Sequence, residues 1–298
     1  MELQDRLEEL TAAGIGIAAI SYDSEQTLLA FAEHRGITFP LLSDHDSAVI
    51  RDYGILNTVV AEGLGPDADD PDVVAAVHFY VAAPVFDSPA LRRQINGTPF
   101  PGTFVLDARG RVTSRFFEEF YRERSSTATV MLKSGIGLSP IEAIQGTTAH
   151  LKFTAYPSNT IVTNGLRFSL MLEVEPNPGM HVYAPGAETL GYRVIGLNLT
   201  PSSHFRFEAV EFPESEIYHF EPLDEYVPVY LRPFTLLQEV VVEATVEAEA
   251  ALEDLDTLTL TGSFDYQACD DEFCFNPVSV PLTFILDLEA HDNQGALQ

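Results

Sequence analysis

Two cysteines, Cys269 and Cys274, hold all the thiol chemistry open to this 298-residue sequence. Four residues, Asp270 to Phe273, separate them, and strand-like sequence lies on both sides (TGSFDYQ before, NPVSVPLTF after). That spacing predicts a hairpin with the two thiols facing each other near its tip. Facing positions of an antiparallel pair lie roughly 4.5–5.5 Å apart at Cα, a span a disulfide can bridge. Such a bridge is either a structural staple or a redox-active pair. Closing so short a loop restricts the unfolded chain by only about 2 kcal/mol, less than a bridge between distant strands. The redox reading is therefore the stronger one.

The flanking residues constrain the chemistry. Asp270, Asp271 and Glu272 repel a thiolate and should raise the thiol pKa values. The pair is then a poor spontaneous nucleophile, better suited to exchange inside a docked complex. Tyr266, Phe273 and Phe275 stand close enough in sequence to shield the sulfurs, with ordinary packing in a sheet core as the alternative.

Bulk composition removes several function classes. Sixteen Lys and Arg against 45 Asp and Glu give a formal net charge of -29, which opposes binding to nucleic acid or to an anionic membrane. Hydrophobic content of 46% is that of a globular chain, and its length allows two domains. No apolar run reaches the roughly 18 residues of a membrane span. The opening MELQDRLEEL is acidic, unlike a signal peptide. The expected location is cytoplasmic by default, or extracytoplasmic if the true start lies upstream.

Two patterns divide the elements that must position the cysteines. The first third reads as α/β: helices over 2–13, 24–36, 46–55, about 71–80 and about 122–133, and strands over 15–23 and 39–44. A hairpin turns at Asp107-Ala108-Arg109-Gly110 between strands of residues 102–117. SGIGLSP opens a linker over 134–147. From about 148 to 288 the sequence reads as successive strands without intervening helices, including FTLLQEVVVEATVEA, which predicts an antiparallel sandwich. Residues 289–298 read as a tail.

The run Tyr266-Gln267-Ala268-Cys269-Asp270-Asp271-Glu272-Phe273-Cys274-Phe275-Asn276-Pro277, with VPLTF after it, resembles the amino-terminal domain of DsbD-type thiol:disulfide interchange proteins. The stretch Gly179-Met180-His181-Val182-Tyr183-Ala184-Pro185-Gly186 resembles a second segment of that family. The resemblance covers about residues 140–288 and implies an immunoglobulin-like sandwich. It also implies His181 and Tyr183 as neighbours of the cysteines, and a loop near Phe220 to Val227 that covers them. The implied partner is a thioredoxin-fold or membrane thiol-redox protein.

Residues 1–133 resemble the thioredoxin-like AhpC/TSA redoxins through the stretches 18–44, 48–57 and 100–119. That resemblance makes Pro101 the candidate for the proline, usually cis, that faces the active cysteine. It also implies a strand and a cysteine-bearing turn before the first helix, whereas this sequence begins inside that helix. Residues 1–268 contain no cysteine. A start assigned too far downstream is favoured over a noncatalytic remnant.

The expected fold is thus an incomplete thioredoxin-like α/β domain followed by an all-β, immunoglobulin-like antiparallel sandwich. The expected activity is thiol–disulfide exchange through Cys269 and Cys274. The rivals are a peroxidase whose active cysteine lies upstream and a noncatalytic binding protein with a structural disulfide. Neither cofactor nor metal is expected. Ser43-Asp44-His45-Asp46 reads as a helix cap, and the acidic loop from Glu62 to Asp72 lacks the pattern of a calcium site.

Overall fold

A computed structural model describes residues 2–80, 97–117, 123–221 and 224–290. The chain divides into two compact units, the first ending at Ile136 and the second beginning at Gly137. The tail predicted for 289–298 lies outside the described residues except at 289 and 290.

In the first unit the described elements are α1 (Glu2–Asp5), α2 (Leu7–Ala12), β1 (Ala19–Ser21), α3 (Glu25–Arg35), β2 (Leu41–Ser43), α4 (Ala48–Asp52), α5 (Val59–Gly63), α6 (Pro71–Tyr80), β3 (Thr103–Leu106), β4 (Val112–Phe116), β5 (Arg124–Ser125) and α7 (Thr127–Lys133). Local signals set several boundaries. The Ser24 side chain accepts from the Thr27 amide at the start of α3, and Gly36 ends that helix in the left-handed region. Asp107 Oδ1 accepts from the Arg109 and Arg111 amides and shapes the predicted turn. The last helix begins later than predicted, because Ser126 caps it by accepting from the Thr129 amide. Strands β1 and β2 pair in parallel, and β3 and β4 pair antiparallel. Ile20 and Leu42 face each other across β1–β2 and are 45% and 47% exposed.

The second unit is largely β. One sheet has the order β12-β15-β9-β7-β6: β12 (Phe205–Glu211), β15 (Phe234–Val242), β9 (Leu166–Pro176), β7 (Leu151–Pro157) and β6 (Ile144–Thr147). Strand β6 occupies residues predicted as linker. A second sheet runs β11-β16-β18-β8: β11 (Gly196–Leu199), β16 (Thr257–Tyr266), β18 (Val278–Leu288) and β8 (Ile161–Val162). One core draws on both sheets, with Phe168, Leu170 and Leu236 from the first and Leu258, Phe264 and Phe284 from the second. Phe153 and Phe264 meet edge to face at 4.8 Å.

One strand prediction is corrected here. The strand run predicted from Phe234 stops at Val242, and Val246–Leu252 forms helix α8. Thr245 caps it by accepting from the Ala248 amide, and the segment is rich in Glu and Ala, both strong helix formers.

A third, smaller sheet carries the cysteines. Its order is β13-β14-β10-β17: β13 (Glu216–Phe220), β14 (Glu225–Tyr230), β10 (His181–Tyr183) and β17 (Ala268–Cys269). Alternation along these strands sorts their side chains. Val182, Ala268 and Tyr230 join the main core. Tyr183, Val229 and Cys269 form a separate cluster with Val227 and Ala187.

Candidate functional site

Strands β16 and β18 form a long antiparallel hairpin whose last pair before the tip is Tyr266↔Val278. Beyond it the chain leaves that sheet. After Gln267, residues Ala268 and Cys269 pair instead with Val182 and His181 of β10. Gln267 ties the crossover down: its Nε2 donates to the Phe275 carbonyl, and its Oε1 accepts from the Arg193 amide. Phe275 N also donates to the Ala268 carbonyl. Cys269 and Cys274 then face each other as an antiparallel bridge and are joined by a disulfide.

The loop between them is held by its own first residue. Asp270 Oδ1 accepts from the amides of Glu272 and Phe273 at 2.9 and 2.6 Å. Those two bonds hold its carboxyl below the usual carboxylate range. Asp271 Oδ1 accepts from the Tyr218 hydroxyl at 2.8 Å, which pins the loop to β13.

The two cysteines differ sharply in exposure: Cys269 is 1% exposed, whereas Cys274 is an exposed residue. The Tyr183 hydroxyl contacts both, at 2.8 Å from Cys269 Sγ and 3.2 Å from Cys274 Sγ. As neither disulfide sulfur carries a proton, the tyrosine is the donor. Burial raises the Tyr183 pKa well above that of a free phenol, so the hydroxyl keeps its proton. Its ring stacks on Tyr192 at 4.2 Å, and Tyr192 donates to Glu225 Oε2 at 2.6 Å. Burial and that carboxylate push the Tyr192 phenol up to about 12.

His181, 2% exposed, stands across from Cys269 with its ring against Tyr218 at 4.6 Å. Burial lowers its pKa, and Asp271 and Asp270 oppose that shift.

The structure therefore brings together Cys269, Cys274, His181 and Tyr183. Tyr266 does not join them. It is fully buried in the main core, stacked near Phe264, with its hydroxyl donating to Thr148 Oγ1. The sheet change at Gln267 separates it from the sulfurs despite its closeness in sequence. Phe273 is 64% exposed at the loop tip and so does not bury the disulfide. Pro101 belongs to the first unit, before β3, and among the described residues no peptide bond is cis. Phe220 to Val227 spans the β13–β14 turn, of which 222–223 lie outside the described residues.

Tyr192 and Tyr218 were not singled out from the sequence as part of this site, and only their tertiary placement marks them. Gln267 and Glu225 entered only as members of the cysteine motif and of the Phe220–Val227 segment, without a role of their own. Asp44, weighed as part of a metal motif, accepts from the Ala48 and Ile50 amides and acts as a helix cap. Among the described residues no helix is long and apolar enough to cross a membrane.

Residues 1–115 match the AhpC/TSA family. Over 53 residues the chain is 40% identical to the peroxiredoxin Bcp of Escherichia coli (strain K12), covering 18% of this chain and 34% of that protein. The same identity and coverage hold for a Mycobacterium tuberculosis protein that carries the peroxiredoxin name. The chain thus spans about a third of the length of the curated relatives it matches. Among solved structures, the chain resembles the N-terminal periplasmic domain of ScsB from Proteus mirabilis. That likeness has a TM-score of 0.32 at 16% identity and covers 49% of this chain and 50% of that one.

Proposed function

We propose that this chain exchanges disulfides with a partner protein, with Cys274 as the sulfur that partners engage and Cys269 as the buried resolving sulfur. The observation that carries the reading is the unequal exposure of the two cysteines. Thiol–disulfide exchange needs an attacking thiolate to reach one sulfur while the other departs as a thiolate. An exposed Cys274 suits attack. Cys269, departing into an apolar cluster, is met by the Tyr183 hydroxyl. A charge-assisted hydrogen bond of that kind is worth roughly 1.5–3 kcal/mol.

On this reading residues 137–292 are an immunoglobulin-like sandwich of the DsbD amino-terminal type. The partner is a thioredoxin-fold or membrane thiol-redox protein, and the working compartment is extracytoplasmic, where disulfides persist. The family match over residues 1–115 favours a second reading, a peroxiredoxin. Those residues contain no cysteine, so the 298-residue chain is expected to leave hydrogen peroxide unconsumed.

Trapping tests the main reading. The variant Cys269→Ser, incubated with an oxidised thioredoxin-fold protein, should accumulate a mixed disulfide at Cys274, and Cys274→Ser should not. An intact bridge with a reduction potential below about −300 mV that resists reduced thioredoxin would instead mark a structural disulfide.

A further inference from the structure

Tyr183 serves two sulfurs with one hydroxyl, at 2.8 Å from Cys269 Sγ and 3.2 Å from Cys274 Sγ. Its main chain is fixed by pairing with Val229 of β14. Strand pairing fixes the backbone but leaves a side chain its choice of rotamer. A hydrogen bond weakens steeply as its angle falls, so the ring itself must be held. Tyr192 lies flat against it, with ring centroids 4.2 Å apart and planes 17° from parallel.

Tyr192 is in turn held from two sides. Its hydroxyl donates to Glu225 Oε2 at 2.6 Å, and Glu225 is the first residue of β14. On the main chain, the amide of the next residue, Arg193, donates to Gln267 Oε1, two positions before Cys269. Val194 bridges to Tyr183, and the Ile195 amide donates to the Tyr183 carbonyl at 3.0 Å. Residues 192–195 are thus tied to the strand that carries Tyr183 and to the crossover that carries the buried cysteine. The Tyr192 ring is tied separately to β14.

We propose that Tyr192, tethered by Glu225, is a positioning residue that holds the Tyr183 hydroxyl on the disulfide while the bond opens. The inference rests on the exchange reading above. A partner thiolate attacks Cys274 Sγ and forms the mixed disulfide. The internal S–S bond breaks, and its electron pair departs on Cys269 Sγ. The Tyr183 O–H, shared between two sulfurs beforehand, then points wholly at the Cys269 thiolate. It donates a hydrogen bond throughout and keeps its proton. Tyr192 and Glu225 act through Tyr183, and Glu225 is needed as an acceptor rather than as a base.

The test is a double-mutant cycle on the oxidised full-length chain, opened by dithiothreitol, with acid quenching and counting of free thiols. Glu225→Ala removes the tether and leaves both rings. Tyr192→Leu removes the stacked ring as well. They should slow opening about threefold and about fivefold, less than the roughly tenfold expected for loss of the Tyr183 hydroxyl itself. Glu225→Gln keeps an acceptor in place and should recover most of the rate lost in Glu225→Ala. In a Tyr183→Phe background Glu225→Ala and Tyr192→Leu should change the rate by less than about twofold, because the hydroxyl they position is gone.

Equal slowing in both backgrounds overturns the proposal, since it would mark Tyr192 and Glu225 as ordinary packing. Opening of Glu225→Ala at the wild-type rate overturns it too. That variant carries the test by itself if Tyr192→Leu does not fold. Dithiothreitol stands in for the partner, so the cycle is independent of the trapping experiment. Failure to trap a mixed disulfide at Cys274 overturns the exchange reading, and with it the use of this brace in exchange. Additive slowing with trapping intact overturns the positioning role alone.

Discussion

His181 stands directly opposite Cys269 in the antiparallel pairing of β10 with β17, and both side chains are almost wholly buried. A histidine at this position is held neutral by desolvation although two aspartates lie on the adjoining loop. The pairing couples the stability of the cysteine-bearing strand to the charge of one imidazole.

The sign of that coupling is fixed. The folded-state pKa of His181 is lowered below its unfolded value, so the unfolded chain binds more protons in the window between them. Stability from this group is present above about pH 6.5 and is lost as the pH falls through the folded value. Urea unfolding of the wild type should weaken from pH 7.5 to pH 5. His181→Phe should show a shallower decline over the same interval, and an identical decline in both proteins would sink the assignment.

Tyr183→Phe removes a hydroxyl that contacts both sulfurs. The departing Cys269 thiolate would then lose its donor. A loss of about 1.5 kcal/mol corresponds to roughly a tenfold slower opening of the disulfide by dithiothreitol. Stopped-flow measurement of that opening at fixed pH checks it, and a rate within twofold of wild type contradicts the role given to the hydroxyl.

Asp270→Ala should loosen the loop without touching the bridge. The carboxylate is the acceptor for the Glu272 and Phe273 amides, so both amides become free in the variant. Hydrogen–deuterium exchange should accelerate at these two positions while the β16–β18 amides keep their protection. Acid should act similarly on the wild type. The Asp270 pKa is lowered by these bonds, so their contribution stands above about pH 3.9 and fades as the pH falls through the folded value.

Much of this was legible where short-range chemistry decides the structure. Ser24 and Gly36 bracket a helix through contacts within a few residues, and the Asp107 turn is similarly local. The β unit was legible because apolar residues alternate along its strands. The Cys269–Cys274 bridge followed from spacing, since the two residues face each other across a short turn. The misreadings have physical causes too. Tyr266 lies three positions before Cys269, yet the sheet change at Gln267 sends it into the main core. Nothing in local sequence announces that change. Tyr192 was not read as a site residue, and Glu225 entered only within the Phe220–Val227 segment, because no motif joins the two. Only the return of two distant segments to one side of Tyr183 makes them a pair.

The Tyr266↔Val278 pair closes the β16–β18 ladder before the chain crosses to the smaller sheet. The chain that leaves this ladder stays part of the fold at first, since Ala268 joins the main core and Cys269 pairs with His181 of β10. Past Cys269 it becomes a tip of four residues, Asp270 to Phe273, closed by the disulfide and exposed at Glu272 and Phe273. The core hairpin does not need the charge of that tip to keep its register. Partner preference could then change by exchange of these few residues, leaving the strands that carry the fold untouched.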